Sequence, residues 1–271
     1  MRYCCYALLV TLSATPALAV AEPCRPVEGL APLFTPKSVI FFGELHGTAE
    51  APAFVGDVLC HALAAGHKVT LALEAPHEES ERFAAFLGSD GGEAARSALL
   101  AGPFWTRSYQ DGRSSRAMFD LAERARALRA AGSAVDFFLF DAAEPTRSRD
   151  LEMGNRLAAA VKAAPDRMFL ALAGNFHSQL TKGRQGYPDF VPMGFVLQER
   201  LGKRPVLALD ILYSGGTAWI CDPSGACGEK KVGGAEGGAE WSVKAGPEPT
   251  ERGHHGRYFL GEIHASPPAV P

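Results

Sequence analysis

The chain has 271 residues and a formal net charge of −3, with acidic and basic residues interspersed. No basic stripe or tail runs along it, so nucleic acid is excluded as a partner. The length left after an N-terminal leader, about 250 residues, suits one α/β domain with a sizeable core.

The N-terminus reads as an export signal over residues 1–21. Arg2 supplies a positive start, Tyr6 to Leu18 is a short and mostly apolar run, and Ala17-Leu18-Ala19 and Ala19-Val20-Ala21 are small-residue cleavage steps. The apolar run falls short of the roughly 20 residues a bilayer span needs, and Pro16 interrupts it. The mature protein, residues 22–271, is therefore expected in the periplasm or outside the cell, with no stable membrane span. Cys4 and Cys5 leave with the signal, while Cys24, Cys60, Cys221 and Cys227 remain. In an oxidising compartment these point to disulfides. Asp222-Pro223-Ser224-Gly225-Ala226 is a turn that brings Cys221 to Cys227, leaving Cys24 for Cys60.

In chain order, Ser38 to Phe42 is predicted as a buried strand that ends at Gly43-Glu44. Helical spacing follows from Phe54 to Leu63. Lys68 to Leu73 is a strand ending at Glu74, and Met118, Leu121, Ala125 and Leu128 mark a helix face that stops at Gly132. Ala134 to Phe140 is a strand ending at Asp141, Arg149 to Ala163 a helix, and Arg167 to Ala173 a strand ending at Gly174. Pro205 to Ile211 and Tyr258 to Leu260 complete the strands. Strand and helix alternation of this kind predicts an α/β fold, a mostly parallel central sheet with helices on both faces. The Gly-, Glu- and Lys-rich stretch at about 225–256 has little apolar surface to bury and is expected to be a long mobile loop or hairpin excursion.

The polar residues collect at strand ends. Glu44 and His46 follow the first strand, Glu74 ends the second, Asp141 the third, His177 follows the fourth, and Glu262 and His264 follow the last. In an open parallel sheet those positions share one rim, where ligands bind. Three segments repeat a Gly-x-x-His step: Gly43 to His46, Gly174 to His177 and Gly261 to His264. Glycine allows a tight exit from the strand, after which the histidine folds back over the sheet edge.

Phe42-Gly43-Glu44-Leu45-His46-Gly47-Thr48-Ala49-Glu50 followed by Ala72-Leu73-Glu74 resembles the erythromycin-esterase-like family. So do Phe104-Trp105-Thr106-Arg107, Phe140-Asp141, Arg149-Asp150 with Met153 and Asn155, and Gly174-Asn175-Phe176-His177. The paired Gly-x-x-His steps are also similar to the Tiki/TraB metalloprotease and ChaN-type haem-binding groups of the same superfamily. The resemblance implies an EreA/ChaN-like α/β domain, and three different chemistries. In the esterase-like branch a histidine matching His46 is a general base on water, helped by glutamates matching Glu44 and Glu74. In the Tiki branch the two histidines and nearby carboxylates hold a divalent metal. In the ChaN branch the fold binds haem for iron uptake.

Two mechanisms stay open at the level of the residues. Without metal, Glu44 or Glu74 would fix the tautomer of His46, whose Nε2 would take a proton from water at a pKa near neutrality. With metal, the ligands would come from Glu44, His46, Glu74, His177 and His264, and bound water would be the nucleophile. Arg107 is a candidate for steadying an oxyanion or, equally, a structural salt bridge to Asp111 or Glu123. Phe104 and Trp105 are expected in the pocket wall, His254-His255 in an exposed loop, and His61, His67 and His77 at the surface. No Gly-x-Ser-x-Gly elbow and no dinucleotide or Walker glycine motif occurs. The expectation is an exported hydrolase of an ester or amide in a small molecule or peptide, by water activation. Its alternative is a haem- or iron-binding uptake protein.

Overall fold

The computed structural model describes residues 23–271 apart from Pro145, Arg147 and Gln185. The expected signal peptide, residues 1–21, lies outside the described residues.

Strand β1, Val39–Glu44, is buried at every position. Its Val-Ile-Phe-Phe run suits a strand covered on both faces. The other strands of the central sheet are β2 (Val69–Pro76), β3 (Val135–Asp141), β4 (Met168–Gly174), β5 (Val206–Leu212), β8 (Ser242–Ala245) and β9 (Gly256–Phe259), in the spatial order β3-β2-β4-β1-β5-β9-β8. Every pairing is parallel except that of β8 with β9. The expected α/β architecture is therefore what the chain adopts, in one domain.

Side-chain alternation along β1 divides the core in two. Ile40 and Phe42 join Phe54, Val58 and Leu59 of helix α1 (Glu50–Ala64) and Met118, Leu121 and Ala125 of α5 (Arg116–Ala130). Val39 and Phe41 meet Met153, Leu157 and Val161 of α6 (Arg149–Ala163) and Met193 and Leu197 of α7 (Met193–Leu201). α5 begins where the Ser115 hydroxyl accepts a hydrogen bond from the Met118 N–H, a cap worth about 1 kcal/mol. The sequence pattern did not separate the short helices α2 (Ser80–Leu87), α3 (Glu93–Leu100) and α4 (Pro103–Thr106) between β2 and α5. Trp105, expected in a pocket wall, is instead fully buried on α4 and stacked on Phe83, with Phe104 beside it in the core.

A second, three-stranded sheet has the order β10-β6-β7, from β10 (Glu262–Ile263), β6 (Gly215–Cys221) and β7 (Cys227–Gly233). Cys221 and Cys227 face one another at the end of the β6–β7 hairpin and are bonded, and Cys24 is bonded to Cys60 on α1. Both expected disulfides are present.

The glycine-rich stretch is more ordered than its composition implies. It holds β7 and the edge strand β8, which pairs along its outer side with Glu28. Trp241 is 5 % exposed, packs edge-on against Phe54 and donates its indole N–H to Asp57 at 3.0 Å. One aromatic anchor outweighs the surrounding glycines because it buries a large apolar area together with a satisfied polar atom. Among the described residues no helix is long and apolar enough to cross a membrane.

Candidate functional site

Four strand ends meet at the carboxyl edge of β3, β2, β4 and β1. Glu44 and Glu74, the last charged residues of β1 and β2, are about 3 % and 4 % exposed, and Asp141 at the end of β3 is 2 % exposed. Three buried carboxylates so close together require cations or donors. Those come from loops and helix starts.

His46 lies between two of them. Its Nδ1 is 2.9 Å from Glu44 Oε1 and its Nε2 is 3.5 Å from Glu74 Oε2. Glu74 accepts the Gly174 N–H at 2.7 Å and the Arg149 guanidinium at 2.6 Å, with Arg113 at 3.5 Å. Asp141 accepts from Arg113 at 2.7 Å and from Arg149 at 2.7 and 3.0 Å. His177 completes the cluster: Asp150 Oδ1 lies 2.7 Å from its Nδ1, and Arg149 lies 2.8 Å from its Nε2. Because guanidinium only donates, Nε2 is the acceptor and Nδ1 carries the proton. Asp150 also accepts the Met193 N–H at 2.9 Å, which ties the start of α7 to the site.

Two glycines lie where the chain comes closest. A Cβ on Gly174 would stand 3.0 Å from His46 Nε2, and one on Gly43 would stand 2.5 Å from the Ser178 hydroxyl. Gly43 and Gly174 therefore serve close packing, and neither has the left-handed backbone of a forced turn; of the three Gly-x-x-His steps only Gly261 has it, at φ 79°.

The charges set the protonation. Burial acts to lower the pKa of His46, but the anions of Glu74 and Glu44 outweigh it and raise it to about 10. Burial likewise opposes ionisation of Glu74, and the neighbouring His46 imidazolium, with Arg113 beside it, overcomes it, holding the carboxyl well below its ordinary range. Burial also disfavours charge on Arg149, yet Asp141 and Glu74 keep it firmly protonated. At neutral pH His46 is an imidazolium between two carboxylates, rather than the near-neutral base expected from its residue type.

The structure brings Glu44, His46, Glu74 and His177 into one cluster. Arg107 is bound to Asp111 at 2.5 Å, the salt-bridge role of its two alternatives, and reaches the cluster through Arg113, which shares Asp111. The expected inclusion of His264 is corrected. Its Nδ1 is 2.9 Å from Glu50 Oε1 at the start of α1, and its side chain is 65 % exposed. Glu262 beside it is exposed as well. His254, expected in an exposed loop, is 2 % exposed, with Nε2 2.9 Å from the Ser178 hydroxyl behind the Asn175–His177 turn.

Arg113, Arg149 and Asp150 had no role assigned from sequence, and Asp111 only that of a salt-bridge partner to Arg107. Arg149-Asp150 stands in the family-like motif set, which was the available signal; Arg113 sits in a loop with no pattern around it.

The donor set does not fit a divalent metal. Arg149 occupies the Nε2 lone pair of His177 and one oxygen of Glu74, while Glu44 takes the Nδ1–H of His46. Among the described residues no three His, Cys, Asp or Glu side chains form a metal-holding group. Haem fits no better, since it needs an apolar slot and a free axial nitrogen, whereas both nitrogens of His177 are engaged and the walls are charged.

Fold and cluster together define a class: an α/β protein with a mostly parallel seven-stranded sheet and a buried histidine–carboxylate–arginine group at the strands' carboxyl edge. No family model matches the sequence, and no curated protein matches it. Solved structures do match the fold. A Bacillus cereus protein solved as a structural-genomics target is similar, with a TM-score of 0.57, 11 % identity, and 88 % of this chain and 92 % of that one covered. A succinoglycan biosynthesis protein has a TM-score of 0.54 at 12 % identity, covering 80 % and 77 %. An erythromycin esterase variant in its open conformation aligns with a TM-score of 0.44 and 16 % identity over 72 % and 76 %. At these identities the first two likenesses concern fold alone.

Proposed function

We propose that this protein is an exported hydrolase that cleaves an ester or amide with water activated at His46. The observation that carries the reading is the Glu44–His46–Glu74 arrangement, one imidazole between two buried carboxylates at the sheet edge. The two disulfides fit the oxidising compartment that export implies.

In the reactive form His46 is neutral, with Nδ1–H donated to Glu44 and the Nε2 lone pair free. Nε2 takes a proton from water as the water oxygen bonds to the substrate carbonyl carbon. The imidazolium so formed lies between Glu44 and Glu74, whose charges stabilise it as it develops. Nε2–H then protonates the leaving oxygen or nitrogen as its bond to the carbonyl carbon breaks. Arg113 and Arg149 keep Glu74 ionised and supply a positive field to the oxyanion. The strong basicity of His46 also means that about one molecule in a thousand is in this form at pH 7, from a pKa of about 10. The rate should therefore climb about tenfold per pH unit towards that value.

The test is a panel of p-nitrophenyl esters and anilides, assayed with wild type and His46→Ala. Turnover above the buffer rate that disappears in the variant, with an unchanged circular dichroism spectrum, supports the reading. Absence of turnover, or equal rates in both proteins, overturns it.

A further inference from the structure

Few large apolar side chains are exposed at the surface. Among the described residues they are Tyr109, Leu151, Phe176, Tyr187 and Val191. Tyr109 lies between Arg107 and Asp111, Leu151 follows Asp150, and Phe176 precedes His177. Val191 stands two residues before Met193, whose N–H binds Asp150. Tyr187 reaches the same surface through Arg184, whose guanidinium lies 4.3 Å from the Phe176 ring, 4.4 Å from Tyr187 and 5.1 Å from Phe190. Phe176, next to His177 in sequence, and Tyr187 thus share one cation. Single exposed apolar residues need no explanation, but exposed aromatic rings gathered on one guanidinium mark a binding surface.

Arg184 adds a sign to that surface. Its Nε is buried without a hydrogen-bond partner, and its guanidinium makes no ion pair among the described residues. Aromatic faces hold the cation in place by cation–π attraction but leave its donor edge unused. The other guanidiniums near the cluster, those of Arg107, Arg113 and Arg149, are paired with carboxylates. A guanidinium held rigid and left unpaired is suited to a carboxylate or similar oxyanion.

We propose that Phe176, Tyr187 and Arg184 select the substrate: an amphiphilic ester or amide with an extended apolar body that ends in an anionic group. The scissile carbonyl goes to His46, the apolar body lies along the exposed side chains, and the anion meets Arg184. This inference rests on the hydrolase reading for its substrate class, and a binding measurement separates the two.

The experiment compares kcat/KM for p-nitrophenyl acetate, p-nitrophenyl octanoate and the mono-p-nitrophenyl ester of suberic acid, which is octanoate in length with a terminal carboxylate. Wild type should prefer suberate to octanoate and octanoate to acetate. Arg184→Gln should lower the suberate-to-octanoate ratio about tenfold, and Tyr187→Ala or Phe176→Ala should lower the octanoate-to-acetate ratio by about as much. Equal ratios in wild type and variants overturn the proposal. In parallel, anilinonaphthalene sulfonate, an aromatic anion, is titrated against the same proteins by fluorescence. Binding weakened by Arg184→Gln and by Tyr187→Ala upholds the surface even if no ester is turned over, in which case only the hydrolase reading fails. Unchanged dye binding, or binding to anionic vesicles that Tyr187→Ala abolishes, overturns it, the latter by assigning the surface to a bilayer.

Discussion

Gly43-Glu44-Leu45-His46 and Gly261-Glu262-Ile263-His264 are nearly the same four residues, each placed after a strand, yet they end in opposite environments. The first closes β1, flanked by β4 and β5 in the middle of the seven-stranded sheet, so Glu44 is buried and His46 is enclosed by two carboxylates. The second forms β10, two residues at the margin of the small sheet, where Glu262 and His264 are exposed. Even the sense of the histidine shift is shared, since Glu50 raises the pKa of His264 by hydrogen bond and charge. What differs is desolvation. In the central copy, burial makes each charge depend on its neighbours; at the margin, water screens the pair.

The comparison is broken most severely by rate measurements. His46→Ala should lower kcat/KM for the best ester by about 10³-fold or more, while His264→Ala should stay within about twofold. Comparable losses in both would mean that the marginal copy shares the site. The next largest effect is on stability. Arg149→Ala takes from buried Glu74 and Asp141 one of their two guanidiniums, leaving Arg113, and should cost about 3 kcal/mol in urea unfolding.

A pH series sharpens the contrast. The folded pKa of His46, about 10, lies above its unfolded value of 6.5, so its stabilisation is complete below pH 6.5 and is lost as pH rises to 10. Glu74 is depressed, so its contribution is present above its ordinary carboxylate range and is lost as pH falls through and below that range. Thermal stability should therefore be greatest between these limits and decline on both sides. In Glu74→Gln the alkaline decline and the alkaline approach of the rate to its plateau should both move to lower pH, because one anion beside His46 is gone. An unmoved profile would remove Glu74 as the cause.

Comparable or smaller effects belong to the margins. Replacing Cys221 and Cys227 together by Ser opens a short loop and should cost about 2 kcal/mol, against about 3–4 kcal/mol for the longer Cys24–Cys60 loop. Least of all, His264→Ala should change stability by no more than about 0.5 kcal/mol, as expected for an exposed side chain.

The sequence by itself determined the alternation of strands and helices, because buried runs such as Val-Ile-Phe-Phe in β1 and the helical spacing in α1 report local burial directly. It also determined that Glu44, Glu74, Asp141 and His177 stand at strand ends, and parallel pairing then places such positions on one rim. Cys221 and Cys227 were legible because only five residues separate them. Tertiary structure alone decided which histidines join the carboxylate cluster. His46 and His264 share a motif, and only sheet order separates a central strand from a marginal one. Structure alone buried His254 and Trp241 within a glycine-rich stretch, since an average over composition cannot see one anchoring contact. It alone supplied Arg113 and Arg149 to Glu74 from positions 39 and 75 residues away in sequence. No local pattern encodes such partners, because a buried carboxylate selects its cations by distance in space, where the loss of water makes their charge decisive.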